Sequence, residues 1–198
     1  MPTFEEVRFY LGGIRLLILN DPAGFRQLDL SDRGMMRSFW AIVWCLPAIF
    51  VSWLWRRAVF LGSMPEGTEI GAVFFFRLAM VEALSWLFPL ILTGLLTLVL
   101  GQARLFPAIV AVNNWLSVPF AYAYAALVVL LLMMPGALGL ISLLWLALVG
   151  ALVAILFRIM HLLCGGQALM SGTLTMLLLV PPLILADWLQ RFLGVYPL

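Results

Sequence analysis

Four side chains in the apolar middle of this sequence could do chemistry: Arg77, Glu82, Asn113 and Asn114. Nearly everything around them is Leu, Val, Phe or Ala. An ionisable group in such surroundings marks a proton, ion or solute path, because a charge stranded in hydrocarbon is costly. An amide at the same depth makes an interhelical hydrogen bond or part of a substrate site. Arg77 and Glu82 are five residues apart, a spacing that does not share one helical face, so they are not expected to pair. The plain reading lets Arg77 snorkel to the interface, gives Glu82 a polar partner near the outer surface, and uses the amides as packing glue. The sharper reading joins Glu82, Asn113 and Asn114 into a polar path beside backbone freed at Pro119, Pro181 and Pro182, which can kink their helices.

Outside that set the chemistry is thin. His161 is the single histidine, so a bis-histidine haem within this chain is impossible. At a helix end three residues after Arg158, it is expected to complement the helix C-terminus. Cys45 and Cys164 read as small buried hydrophobes, not as a disulfide or metal pair. Asp187, Trp188 and Arg191 read as interfacial anchors, with Asp187 and Arg191 spaced to pair along a helix. No nucleophile–base pair, metal-ligand cluster or phosphate loop is legible, so neither catalysis, a cofactor nor a metal is expected.

The elements that must hold these residues are dictated by solvent. From Leu105 to Phe157 there is no Asp, Glu, Lys, Arg or His. As one helix that run would be roughly 80 Å long at ~1.5 Å per residue, whereas a bilayer core is only ~30 Å thick. It must cross twice, turning at Met134-Pro135-Gly136. The chain is 65% hydrophobic and 10% charged, too little polar surface for a water-soluble fold. The predicted fold is all-α: a polytopic transmembrane bundle of about five spans behind an N-terminal amphipathic interfacial helix. No cleavable signal peptide is expected. A net charge of +2 argues against a nucleic-acid partner.

Residues 1–34 read as a cytoplasmic amphipathic segment. It opens on a capping box, Thr3 to Glu6, and carries Phe4, Val7, Leu11, Ile14, Leu17 and Ile18 on one face. Gly12-Gly13 weaken that helix, Asn20-Asp21-Pro22 end it, and Ser31-Asp32 cap the next. Residues 35–189 form the five-span domain. The expected apolar stretches are Met35–Trp55 (ended by Arg56-Arg57), Leu78–Leu100, Phe106–Met133, Leu138–Phe157 and Ala168–Leu189, and residues 190–198 form a short tail on the opposite side. Arginine placement sets the orientation. With the N-terminus in the cytoplasm, Arg8, Arg15, Arg26, Arg33, Arg37, Arg104 and Arg158 lie inside, against Arg56, Arg57 and Arg191 outside. The Arg56-Arg57 pair is the misfit, tempered by Glu66 and Glu69 in the same loop.

The order of parts resembles the bacterial branch of the Yip family. The likeness rests on the Asp21-Pro22 step before Phe25, on Gly101-Gln102-Ala103-Arg104-Leu105-Phe106 followed by Val118-Pro119, and on Arg158 to Ala168 with His161. It covers about Asn20 to Leu189. The Asp-Leu-Tyr-Gly-Pro motif of eukaryotic members is absent, so no small-GTPase partner is implied. The resemblance implies a topology, a cytoplasmic N-terminal segment and five spans, and no activity or catalytic residues.

These readings converge on a non-catalytic protein of the bacterial inner membrane that organises membrane or partner proteins, with the size of an accessory subunit. Its partners are then the lipid bilayer and either further copies of itself or other membrane proteins. The rival is a small oligomeric transporter or channel with a polar path through the second and third spans. A membrane enzyme acting on lipid is a third, weaker reading.

Overall fold

The computed structural model describes residues 2–65 and 71–196. Glu66 and Glu69, expected to temper Arg56-Arg57, lie outside them. Among the described residues the chain forms seven α-helices: α1 (Phe4–Ile18), α2 (Asp32–Ser38), α3 (Ala41–Gly62), α4 (Ala72–Val99), α5 (Phe106–Met133), α6 (Leu138–Leu163) and α7 (Ala168–Phe192). Short 3-10 helices lie at Pro22–Gln27, Ala103–Leu105 and Pro135–Ala137, the last making the turn between α5 and α6. Five segments are long and apolar enough to cross a membrane: Asp32–Gly62, Ala72–Val99, Ala103–Met133, Pro135–Leu163 and Ala168–Phe192. The protein is an all-α, multi-pass membrane bundle.

The spans run past several expected ends. α3 continues through Arg56 and Arg57 to Gly62, α6 passes Phe157 to Leu163, and α4 starts at Ala72. α5 and α7 run on through Pro119 and Pro181-Pro182, and α3 and α4 also carry internal prolines, Pro47 and Pro89. An arginine does not stop a helix. It only has to bring its guanidinium to a polar partner, and Arg56 has one in Gln190 of α7.

In cross-section α5 packs on α3 and α6, α6 on α7, and α7 on α4. The remaining seam, between α3 and α4, closes through aromatic side chains. Phe50 and Trp53 meet Phe75, and Phe60 meets Phe74, at ring-centroid separations of 5.1–6.4 Å. Small residues let the other walls approach closely: Ala41, Ala48, Thr93, Thr97, Ser171 and Thr175 are all buried. The outer faces remain apolar and exposed, above all on α6 at Leu140, Leu143 and Leu146, as lipid requires.

The N-terminal segment folds onto one end of this bundle. Thr3 Oγ1 accepts from Glu6 N at 3.3 Å while Thr3 N donates to Glu6 Oε2 at 2.8 Å, the expected capping box. The apolar face expected to rest on lipid is covered by protein instead. Val7, Tyr10, Ile14 and Leu17 are buried, and the Tyr10 ring lies 5.0 Å from that of Trp115 in α5. Phe4, placed on that face by periodicity, is exposed and meets Trp44 at its edge. Gly13, which weakens α1 as an isolated helix, lets it pair with the Pro22–Gln27 turn. A Cβ on Gly24 would collide with the Gly13 carbonyl and meet Leu17 Cγ at 2.8 Å. Two polar ties complete the docking. Arg37 NH2 reaches Glu6 at 2.7 Å, and Arg158 NH2 donates to the Ile18 carbonyl at 2.8 Å.

The other end is tied by the tail. Val195 is buried against Phe74 and Leu78, and Arg77 NH1 donates to the Leu193 carbonyl at 2.8 Å. The segment expected to be a loose tail is therefore part of the fold as far as Tyr196.

The Arg37 guanidinium, with the Thr3 N–H, holds the Glu6 carboxyl below its ordinary value of 4.5. A depressed carboxyl pKa contributes stability that is present above 4.5 and lost as pH falls through the folded-state value. The protection of the α1 amides against hydrogen exchange, corrected for the intrinsic pH dependence of exchange, is therefore expected to be level above pH 4.5 and to fall on acidification below it. In Glu6→Gln that acid-dependent step is absent.

Candidate functional site

Between α3, α4 and α5, floored by α6 and α7, lies a cavity of about 380 Å³. It is lined from three helical stripes. Cys45, Ala48, Ile49, Ser52 and Arg56 come from α3. Glu82, Ser85, Trp86 and Pro89 come from α4, and Asn113, Leu116, Ser117, Phe120, Ala121 and Tyr124 from α5. Within each helix the spacings are ones, threes and fours, the spacing of neighbours on one helical face. Leu152, Leu156, Leu178 and Leu179 make the far wall apolar, and Pro182 completes it on α7.

Two opposite charges face this space. Glu82 lies ten residues into α4, ~15 Å along it at ~1.5 Å per residue. Arg56 lies six residues before the end of α3, ~9 Å by the same rise. Glu82 is well inside its helix, whereas Arg56 lies level with the end of α7, since its partner Gln190 is two residues before Phe192. Among the described residues the direct ion pairs are Arg37–Glu6 and Arg191–Asp187, so none joins Arg56 to Glu82. Arg56 NH1 donates to Gln190 Oε1, which anchors the guanidinium from the side of α7, while its Nε is buried with no partner. Ser85 Oγ is also buried and unpartnered. The indole N–H of Trp53 lies beside the Glu82 carboxylate without meeting hydrogen-bond geometry. Ser52 and Ser117 donate back to the carbonyls of Ala48 and Asn113, leaving lone pairs on their oxygens for another donor.

The two amides part company. Asn113 lines the cavity. Asn114, fully buried, turns away into the packing: its Oδ1 accepts from Trp86 Nε1 at 2.9 Å and its Nδ2 donates to Ser38 Oγ at 2.9 Å. Ser38 passes the chain on by donating to the Met35 carbonyl at 2.7 Å. Asn114 thus links α2, α4 and α5 and fixes the tryptophan that forms part of the cavity wall. Of the four side chains expected to form an intramembrane polar site, Glu82 and Asn113 share the cavity. Asn114 braces it from behind, and Arg77 lies apart, exposed and bonded to Leu193 O. Of the three prolines, Pro182 borders the cavity, while Pro119 and Pro181 do not.

Arg56 is the residue that sequence reading left out of the site. Its signal was present: it follows Cys45, Ile49 and Ser52 by eleven, seven and four residues, on their face of α3. Reading Arg56-Arg57 as a span terminator hid it. Ser52, Ser85, Ser117 and Tyr124 were missed for a related reason, since a single hydroxyl in an apolar helix carries no signal until the faces are known.

The remaining sequence candidates lie elsewhere. Arg191 makes a two-pronged contact with Asp187, 2.9 and 3.2 Å, and covers the Tyr196 ring at 4.1 Å. Trp188 stacks on Phe192 at 5.3 Å. This cluster is exposed at a helix end, where interfacial anchors belong. His161 stacks on Phe157 and lies 3.5 Å from Ser171 Oγ through Nδ1. The Ser171 proton is committed to the Gln167 carbonyl at 2.7 Å, so His161 does not activate it as a nucleophile. Burial pushes the Cys164 thiol up from its ordinary 9.0, away from the reactive thiolate. Among the described residues no three of His, Cys, Asp or Glu gather to hold a metal ion.

No known family model matches this chain, and neither the curated proteins nor the solved structures contain a match.

The two amides are separable by mutation. Asn114→Leu strands the Trp86 N–H and removes the donor to Ser38 Oγ, whose own proton stays on the Met35 carbonyl, and is expected to cost about 1–3 kcal/mol of stability. Asn113→Leu strands no partner and is expected to change stability by less than about 1 kcal/mol. Thermal unfolding of both variants in the same detergent checks the contrast.

Proposed function

We propose that this protein holds a small polar solute in a cavity inside the membrane and serves as a compact carrier or channel. The observation that supports this most is the convergence of Arg56 and Glu82 on one internal space. Charged groups at depth in a membrane protein are costly and mark solute or ion paths. A structural salt bridge would bring them into contact, and no direct ion pair joins them. A cavity of about 380 Å³ falls in the size range of ligand pockets, ~300–1,000 Å³. Its lining is mainly apolar with a few convergent polar groups, the usual make-up of such sites.

The same geometry bears on where the protein sits. We assign it to the bacterial inner membrane with the N-terminus cytoplasmic and the C-terminus opposite. Arg56 was half of the misfit in the arginine bias. Because it faces a cavity rather than an outer loop, that side keeps Arg57, Arg77 and Arg191. The likeness to bacterial Yip proteins agrees with this topology and adds no activity.

A non-catalytic organiser of partner proteins is the second reading. It is favoured by the broad apolar flank of α6, where Leu138, Leu140, Leu143 and Leu146 are all exposed. Under this reading another membrane chain co-purifies in mild detergent and is shed by a Leu143→Arg substitution. A strictly monomeric preparation with no associated chain speaks against it.

The carrier reading makes the cavity wet and reachable. In a Cys45→Ala, Cys164→Ala background, cysteines placed at Ser85 and at Asn113 should react with a charged, membrane-impermeant thiol reagent. A cysteine at fully buried Ile109 should not. A path that alternates or stays open reacts from both faces of sealed vesicles. Silence at both cavity positions from both faces rejects the proposal.

A further inference from the structure

We infer that the solute of this cavity is a zwitterion, seated with its anionic group at Arg56 and its cationic group at Glu82. This rests on the reading of the cavity as a solute site and names the chemistry it selects. Three observations carry it. First, the cavity presents one positive and one negative side chain, Arg56 and Glu82. A lone anion would gain Arg56 but meet repulsion from Glu82, and a lone cation the reverse. A molecule with both charges satisfies both and leaves the site neutral, which matters most where water is scarce. Second, no direct ion pair joins the two side chains, so neither is spent on the other. Third, spare hydrogen-bonding capacity is matched in sign to the two ends. Arg56 donates to Gln190 with NH1, and its buried Nε has no acceptor. Glu82 can take donors from an ammonium group.

Part of the lining is apolar, with Leu152, Leu156 and Leu178. It suits a short hydrocarbon substituent rather than a sugar or a nucleotide. Two sources supply this chemistry. One is a free zwitterionic solute such as an amino acid or betaine. The other is a zwitterionic lipid headgroup.

The test uses the full chain in nanodiscs of phosphatidylglycerol alone, which offers no zwitterionic headgroup. The readout is tryptophan fluorescence, since Trp86 lines the cavity. Leucine, glycine betaine and glycerophosphoethanolamine are titrated against two truncated analogues of leucine: 4-methylpentanoate, without the ammonium, and 3-methylbutylamine, without the carboxylate. At least one zwitterion is expected to bind, and where it is leucine both analogues should be about tenfold weaker or worse. A second set of discs contains phosphatidylethanolamine. Loss of soluble-zwitterion binding there, or a response to that lipid alone, assigns the headgroup as the source. Unchanged binding assigns the free solute.

Neutralising one charge should redirect the preference. Glu82→Gln is expected to bind 4-methylpentanoate at least as well as leucine, and Arg56→Gln to do so with 3-methylbutylamine. Equal affinity of the wild-type protein for leucine and either analogue overturns the inference. So does an unchanged preference in both folded variants. So does no response to any of the three solutes or to phosphatidylethanolamine. If a variant does not fold, the wild-type panel decides alone. A cavity that reacts with the charged thiol reagent while every zwitterion fails sinks this inference and leaves the solute site standing. A cavity that does not react sinks both.

Discussion

Lipid offers a polar group nothing, and that constraint organises this molecule. Every donor or acceptor drawn into the span region must find a partner in the protein or face an internal space. The hydroxyls of Ser52, Thr97, Ser117, Thr173 and Thr175 follow the first route at least cost, donating to a carbonyl one turn back along their own helix. Asn114 follows it across helices, with its amide used by Trp86 on one side and Ser38 on the other. Arg56 and Glu82 take neither route completely. Arg56 spends one arm on Gln190 and keeps Nε bare, and Glu82 forms no direct ion pair. Trp44, Trp53, Ser85 and Thr93 also bury a polar atom with no partner, but Arg56 and Glu82 are the base and the acid that line one cavity.

The cavity is held by its surroundings more than by its lining. Trp86 keeps its place in the wall because Asn114 holds its indole N–H, and Asn114 is placed by α2, whose Ser38 faces it. α2 is in turn gripped by the N-terminal helix through Arg37 and Glu6. A continuous set of contacts therefore runs from the capping box of α1 through Arg37 and Ser38 to Asn114 and Trp86. At the opposite end the tail plays the matching part. Gln190 steadies Arg56, and Val195 and Leu193 pack on Phe74 and the Trp53 side of α3. Both ends of the chain, marginal in length beside the spans, set the positions of the side chains that face the cavity.

How much of this was legible depended on whether the signal lay in one helix or between two. Spans were readable because hydrocarbon thickness imposes a length and charge exclusion marks it, so Leu105–Phe157 divided correctly at Met134-Pro135. Caps were readable because Thr3 with Glu6, and Ser31 with Gly34, act within three residues. Asp187 with Arg191 was readable for the same reason. What could not be read was which side of a hydrophobic helix faces protein. α3, α4 and α5 are apolar all round, so periodicity gives no inward direction. Asn113 and Asn114, adjacent in sequence, point to different places for that reason. Arg56 was misplaced because a loop arginine and a cavity arginine look alike until Gln190, 134 residues away in the chain, is seen beside it.

The arrangement of walls also separates what holds the bundle from what closes the cavity. α3 is fastened to α5, α4 to α7, and α6 to both α5 and α7 by close backbone packing, much of it over Ala, Ser and Thr. The two helices that carry the charges, α3 and α4, meet instead through the rings of Phe50, Trp53, Phe60, Phe74 and Phe75. Rings at centroid separations of 5.1–6.4 Å fill space without bringing backbones together. Arg56 rides on α3 and Glu82 on α4, so the two side chains of opposite type that line the cavity flank the wall closed by rings rather than by close backbone packing.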